Sequence, residues 1–254
     1  VLCAAAFGAD RPIHLNPDNP HYFEFRGRPT VLITSGEHYG AVLNQDFDYK
    51  TYLDELEKHG LNLTRTFSGT YAESWGEGWN MLNPAPGRFI TPWARSDTPG
   101  YKDGGNKFDL SKWNEAYFDR LRDFVAEAQE RGVVVEMVLF CVMYGDSQWS
   151  LSPLNARNNV NDIGNVGRKE FFDVDNKKLL NAQVRVAKKI VRELKQFDNV
   201  YFELCNEPYF ANGPVLGHPW NDRMIKAIRS VTDRHMIALN VANNWKKVEE
   251  KPDE

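Results

Sequence analysis

Five near-continuous apolar runs, each parted from the next by a stretch of helical periodicity, set the narrowest limit on how this chain can fold. They span residues 30–34, 61–67, 133–140, 200–205 and 235–241. A strand that is apolar along its length is buried on both faces, and strands separated by helices pair in parallel. Helices are predicted in the gaps. Tyr49, Leu53 and Leu56 repeat before Gly60. Phe118, Leu121, Phe124, Val125 and Ala128 share one face of 115–131, which closes at Gly132. Leu180, Val184, Ala187, Val191 and Leu194 form a stripe along 175–196, and Met224, Ile228 and Val231 mark 220–232.

The connections are unequal. The chain turns directly at Gly60 and Gly132 after helices, whereas 68–112 and 141–172, after strands, are long and rich in Gly, Pro, Trp and Asn. Long loops at the carboxyl ends of strands and tight turns at the other ends are the layout of a (β/α)8 barrel with its site on the top face. No Gly-rich phosphate turn follows the first run, which argues against a dinucleotide-binding sheet. Ahead of that run, Tyr22-Phe23-Glu24-Phe25 and Gly27 predict a short hairpin that plugs the barrel floor. A barrel needs eight strands, and only residues 242–254 follow Val241. Each further βα unit takes about 30 residues. The expectation is therefore one α/β domain over 10–254, a (β/α)8 TIM barrel of which about the first five βα units are present, cut at both ends. Expressed alone, such an open sheet is expected to be poorly soluble or oligomeric.

Hydrophobic residues make up 42% of the 254, enough for a sizeable core. The 31 basic and 35 acidic residues are mixed, with a net charge of -4 and no basic stripe, so nucleic acid is not an expected partner. No apolar run reaches the ~20 residues that span a bilayer, so no membrane is expected either. Val1 to Asp10 reads as the end of a secretory signal, with Ala4-x-Ala6 as its cleavage pattern; an ordinary frayed terminus is the alternative. On the first reading residues 1–9 are a signal remnant and the protein is secreted or periplasmic. Outside that segment only Cys141 and Cys205 occur, and both read as small buried hydrophobes rather than a disulfide framework. The six histidines show no H-x-H or H-E-x-x-H spacing, so no metal and no cofactor are expected. A metal-dependent hydrolase would rest on His38 alone. Oligomeric state is left open.

The chemistry concentrates where the fourth run ends, at Asn206-Glu207-Pro208. A buried strand would carry the amide and the carboxyl side by side to its mouth, where an acid can donate a proton. The alternative for Glu207 is a solvated loop acid. Glu203, four residues earlier, points the same general way but about two layers deeper, and reads as a buried partner of an arginine.

The stretch Phe202-Glu203-Leu204-Cys205-Asn206-Glu207-Pro208-Tyr209 resembles the fourth-strand motif of clan A retaining glycoside hydrolases, the cellulase-like (β/α)8 enzymes. Tyr22 to Pro29, followed by Leu32 to Gly40, is similar to secreted bacterial members of that group. The resemblance covers roughly 20–245. It implies an oligo- or polysaccharide substrate, a β-linked glycan cleaved through a glycosyl-enzyme intermediate. Glu207 would be the general acid/base, first protonating the leaving oxygen and then deprotonating water. Asn206 would hold the sugar 2-hydroxyl. Arg65 matches the arginine that lies beneath the nucleophile; a structural ion pair with Glu203 or Glu136 is the other reading. Glu37, His38 and Tyr39, after the first run, and Asn243, Asn244 and Trp245, after the fifth, would line the sugar subsite. Trp75, Trp79, Trp93 and Trp149 either stack on sugar rings, at least one facing the cleft, or form a small core under the loops. In the clan the nucleophile is a Glu closing the seventh strand. No residue here takes that role by motif, and Glu37 and Asp146 are only strand-end carboxylates. A different class of reading is a non-catalytic carbohydrate-binding protein or a degenerate half-barrel.

Overall fold

The structure, a computed structural model, describes residues 11–34, 39–73, 84–210 and 212–241. It begins with three short strands, β1 (His14–Leu15), β2 (Phe23–Phe25) and β3 (Arg28–Thr30), which form an antiparallel sheet. Helix α1 (Tyr49–Lys58) then leads into β4 (Leu63–Phe67). Strands β5 (Trp93–Pro99) and β6 (Asn106–Trp113) pair as a hairpin before α2 (Glu115–Glu130). Next come β7 (Val134–Cys141), the short α3 (Asp146–Trp149), α4 (Lys177–Leu194), β8 (Val200–Asn206), α5 (Pro219–Arg229) and β9 (Ile237–Ala238).

Strands β4, β7, β8 and β9 lie side by side, all parallel, in the order in which the chain makes them. A doubly wound sheet would reverse that order at a switch point, whereas sequential winding is how a barrel is laid down. The helices form where the periodicity predicts them. Phe118, Leu121, Phe124, Val125 and Ala128 of α2 are all buried. Gly132, at φ +67°, turns the chain from α2 into β7. Asp48 and Asn176 cap α1 and α4 through their side chains, each accepting from backbone N–H groups of the first turn. The buried face of α4 is broader than the predicted stripe. Val184 is only half-buried, while Gln183 is buried and bonded to Trp220 Nε1 at 2.9 Å and to the Phe171 carbonyl at 2.8 Å. The helix packs on both α2 and α5, which widens its covered arc.

The predicted floor plug is present. Ile13 and Phe25 pack with Val134 and Tyr201, which lie at or next to the starts of β7 and β8. Arg26 fastens the plug through Asp198 at 2.8 Å.

Three expectations need correction. The run at 30–34 is not a buried ladder strand. Thr30 closes β3, and only Leu32 of the next residues joins the floor cluster, while Val31 and Ile33 are exposed. Asn62 is the residue that faces this run: the Asn62 backbone N–H donates to the Ile33 carbonyl at 3.0 Å, while its side chain accepts from Ile33 N at 2.7 Å and donates to the Val31 carbonyl at 2.9 Å. The fifth strand, expected over 235–241, is reduced to Ile237–Ala238 at the edge of the described sheet, where it has β8 on one side. The loop at 68–112 holds the β5–β6 hairpin, so the described chain mixes antiparallel sheets with a four-stranded parallel arc, not five barrel strands. Arg95 explains why so polar a segment pairs. Its guanidinium bonds Asp103 Oδ2 at 2.5 Å and lies 4.2 Å from the Phe108 ring centre. Asp103, Gly104 and Gly105 then supply the turn.

Candidate active site

The carboxyl ends of β4, β7 and β8 surround a cleft of about 190 Å³. One wall comes from β4 and its flanks: Arg65, Phe67, Tyr39 and Glu73. The other is Cys141 and Tyr144 at the end of β7, with Asn206 and Glu207 at the end of β8.

The parallel register builds the floor of this cleft. Arg65 on β4 is the direct partner of Glu136 on β7, and Cys141 is the partner of Asn206 on β8. Arg65 Nε lies 2.8 Å from Glu136 Oε2, and Nη2 lies 2.6 Å from Glu203 Oε2. The same Nη2 donates to Asn206 Oδ1 at 3.0 Å. Glu203, whose side chain is 2% exposed, also accepts from Asn240 Nδ2 at 3.3 Å. Arg65 makes the ion pair of the second reading, with both carboxylates at once, and it also lines the cleft and reaches the site through Asn206. One guanidinium between two buried carboxylates leaves an excess of negative charge. Burial, and then the Glu203 carboxylate beside it, push the Glu136 carboxyl above its usual range, with Arg65 pulling the other way.

Glu207 is the first residue beyond β8 and is half-buried. Its φ is +48°, the left-handed region in which a residue with a side chain is strained by roughly 1–3 kcal/mol. Pro208 blocks continuation of the strand, and the Phe210 N–H closes a turn on the Glu207 carbonyl at 3.1 Å. The carboxyl is held on both oxygens. Tyr144 donates to Oε2, and Tyr209 donates to Oε1 at 3.3 Å. Strain of this kind persists where surrounding contacts enforce it, and it swings the carboxyl into the cleft.

Of the residues nominated from sequence, Glu207, Asn206, Arg65 and Tyr39 line one cleft. Tyr39 packs edge-on to Phe67 at 5.5 Å. Glu37, His38, Asn243 and Trp245 lie outside the described residues, as do Asn244, Trp75 and Trp79. Trp93 and Trp149 are buried, one stacked on Trp113 and the other against Phe171, so these two belong to the core under the loops. Asp146 is exposed, pairs with Arg168 at 3.3 Å and does not line the cleft. Sequence reasoning missed Glu73, Tyr144 and Tyr209. Glu73 carries the signal that nominated Glu37, a carboxyl shortly after a strand end. Tyr209 was in view as part of the motif, but Tyr144 had no pattern to mark it. Among the described residues no cluster of His, Cys, Asp or Glu is placed to hold a metal ion, and no helix is long and apolar enough to cross a membrane.

Residues 26–253 match the cellulase profile, glycosyl hydrolase family 5. Among solved structures the chain is similar to a Bacteroides vulgatus ATCC 8482 protein described provisionally as a glycoside hydrolase, with a TM-score of 0.61 and 16% identity over 91% of this chain and 39% of that one. It is also similar to a family 5 mannosidase from Rhizomucor miehei in complex with mannosyl-fructose, with a TM-score of 0.61 and 11% identity over 94% of this chain and 57% of that one. An endo-1,4-beta-mannanase of the same fungus matches with a TM-score of 0.56 and 12% identity, over 95% and 62%. These likenesses bear on the fold alone, and the chain spans 39–62% of the length of these three structures. No curated protein matches. A polar cleft at the carboxyl ends of sequentially wound parallel strands, the Asn206-Glu207-Pro208 corner and a family profile running over nearly the whole chain lead to one assignment: the chain belongs to glycosyl hydrolase family 5, whose fold is the (β/α)8 barrel.

Proposed function

We propose that the protein is a glycosidase that cleaves a β-linked glycan by retaining double displacement, with Glu207 as general acid/base and Asn206 holding the sugar beside the broken bond. The observation that carries this reading is the placement of Glu207: a half-buried carboxyl in an enforced left-handed turn, next to an amide that Arg65 anchors at 3.0 Å. In the first step the Glu207 proton passes to the leaving glycosidic oxygen as a carboxylate attacks the anomeric carbon. In the second, Glu207 takes a proton from the water that displaces the enzyme. The attacking carboxylate is unassigned, and Glu73 is the other described carboxylate in the cleft wall. Mannan-type substrates are the first to test, because two of the similar structures are a mannosidase and a mannanase.

The test is the stereochemistry of the first product. The full-length protein, given β-1,4-mannan or β-1,4-glucan oligosaccharides, is expected to release the β anomer first in a proton NMR time course. An α anomer formed first would overturn the retaining mechanism.

One aromatic ring supports the sugar-binding part of the reading. Phe210 is 48% exposed three residues after Glu207, packed on Tyr209 and on the cleft-lining Tyr144 with ring centres 4.9 and 6.0 Å away. An exposed ring so fixed is a face on which a pyranose can stack. Phe210→Ala is expected to raise KM by about tenfold, equivalent to ~1.4 kcal/mol, with kcat nearly unchanged. An unaltered KM would remove Phe210 from the subsite.

A further inference from the structure

The Glu207 carboxyl and the Asn206 amide are joined through a third side chain. The Tyr144 hydroxyl donates to Glu207 Oε2 and accepts from Asn206 Nδ2 at 3.1 Å. Cys141 Sγ, at the end of β7, lies 3.8 Å from the same oxygen. The far side of the amide is tethered as well, since Asn206 Oδ1 accepts from Arg65 Nη2. Reversing the amide would set Nδ2 against the Arg65 guanidinium, donor against donor, and could keep a bond to Tyr144 only by taking the hydroxyl proton from Glu207. The Tyr144 ring is fixed in turn between Tyr71 and Phe210, with centres 6.0 Å away on either side. Burial pushes its phenol far above the usual range, so the hydroxyl keeps its proton and remains a donor.

From this geometry we infer that Tyr144 is a positioning residue that locks the acid and the sugar-binding amide into one frame and reserves Glu207 Oε1 for the travelling proton. The inference rests on the acid/base reading of Glu207. Oε2 already accepts the Tyr144 proton, so a proton on Glu207 belongs on Oε1, which among the described residues takes only the longer 3.3 Å contact from Tyr209. In the first step the Oε1–H bond breaks and its proton goes to the leaving oxygen. In the second step a water O–H bond breaks and the proton returns to Oε1. Through both steps Tyr144 holds Oε2 and the amide still. A carboxyl released from that bond could turn about its last torsion, and misplacement by about 1 Å costs on the order of 100-fold in rate.

Tyr144→Phe keeps the ring between Tyr71 and Phe210 and removes only the hydroxyl. In the full-length protein, aryl β-mannosides and β-glucosides with two kinds of leaving group separate positioning from folding. Phenyl glycosides need proton donation, whereas dinitrophenyl glycosides leave without it. The expected result is a fall in kcat of roughly 10- to 100-fold on phenyl glycosides and a several-fold smaller loss in the first step on dinitrophenyl glycosides, where only the loosened Asn206 amide is felt. The ratio of the two rates does not depend on how much of the variant is folded. Equal losses on both classes, or no loss on either, would overturn the inference. Glu207→Gln assayed alongside tells the two failures apart. If it is inactive on phenyl glycosides while Tyr144→Phe matches the parent protein, the positioning role alone fails. If Glu207→Gln itself keeps full rate, the acid/base reading falls and takes this inference with it.

Discussion

Glu207→Gln is expected to lower kcat on natural glycans by about 100- to 10,000-fold, the usual worth of a placed general acid/base. Gln has nearly the same shape as Glu, so with its amide oxygen in the place of Oε2 the Tyr144 donation and the left-handed turn at φ +48° are kept, and thermal stability should hardly move. What disappears is the proton. The loss should therefore be largest for alkoxide leaving groups and smallest for nitrophenolates in the first step. The second step still lacks its base, so the glycosyl-enzyme should accumulate and appear as a burst. Steady-state rates and a melting curve on the same preparation check this. A variant that cleaves glycans at the parent rate would end the assignment of Glu207.

The second large effect lies beneath the cleft and concerns folding. Arg65 is the cation shared by Glu136 and Glu203, whose side chains are 12% and 2% exposed. Arg65→Met leaves two carboxylates buried against each other. Removing one partner of a buried ionic cluster costs roughly 3–5 kcal/mol. In a chain of this size that is a fall of order 10 °C in melting temperature. Glu136→Gln should do the opposite near neutral pH, because folding then no longer requires an acid at this position to take up a proton, and Arg65 and Glu203 are left as a matched pair. The sign of the pH dependence follows. Glu136 keeps its proton in the folded protein at pH values where the unfolded chain has released it. The folded state then binds more protons, so stability is greatest below the ordinary carboxylate range and declines as pH rises through and above it. Glu136→Gln should flatten that decline. Melting curves from pH 5 to pH 8 measure it, and equal slopes in parent and variant would contradict the retained proton on Glu136.

Much of the architecture could be read before any coordinates. The alternation of apolar runs and helical stripes located β4, β7, β8, α2, α4 and α5 within a few residues, because each buries a face whose period is local. The floor hairpin was equally legible, since Gly27 (φ +72°) and the flanking aromatics act within a few residues of one another. The failures share one cause. Residues 31–34 have a strand's composition, but a ladder needs a run of neighbours in register, and there Asn62 pairs through one backbone bond and otherwise through its side chain. The β5–β6 hairpin is polar, and it is held by Arg95 bonding back across its own turn, a contact no periodicity reports.

At the site the division is similar. Asn206 and Glu207 announced themselves because a strand end, an amide, an acid and a proline sit in consecutive positions. Glu203 was separable from Glu207 because side chains on a strand recur at even spacing, and it is indeed the buried partner of Arg65. Tyr144 was invisible: it lies 62 residues from Asn206 and 63 from Glu207 in the chain and meets them only after β7 and β8 have paired. Local order in a chain is encoded by short-range periodicity and turn chemistry. Which hydroxyl reaches which carboxyl depends on the register between strands, and that register is chosen by the packing of the whole domain.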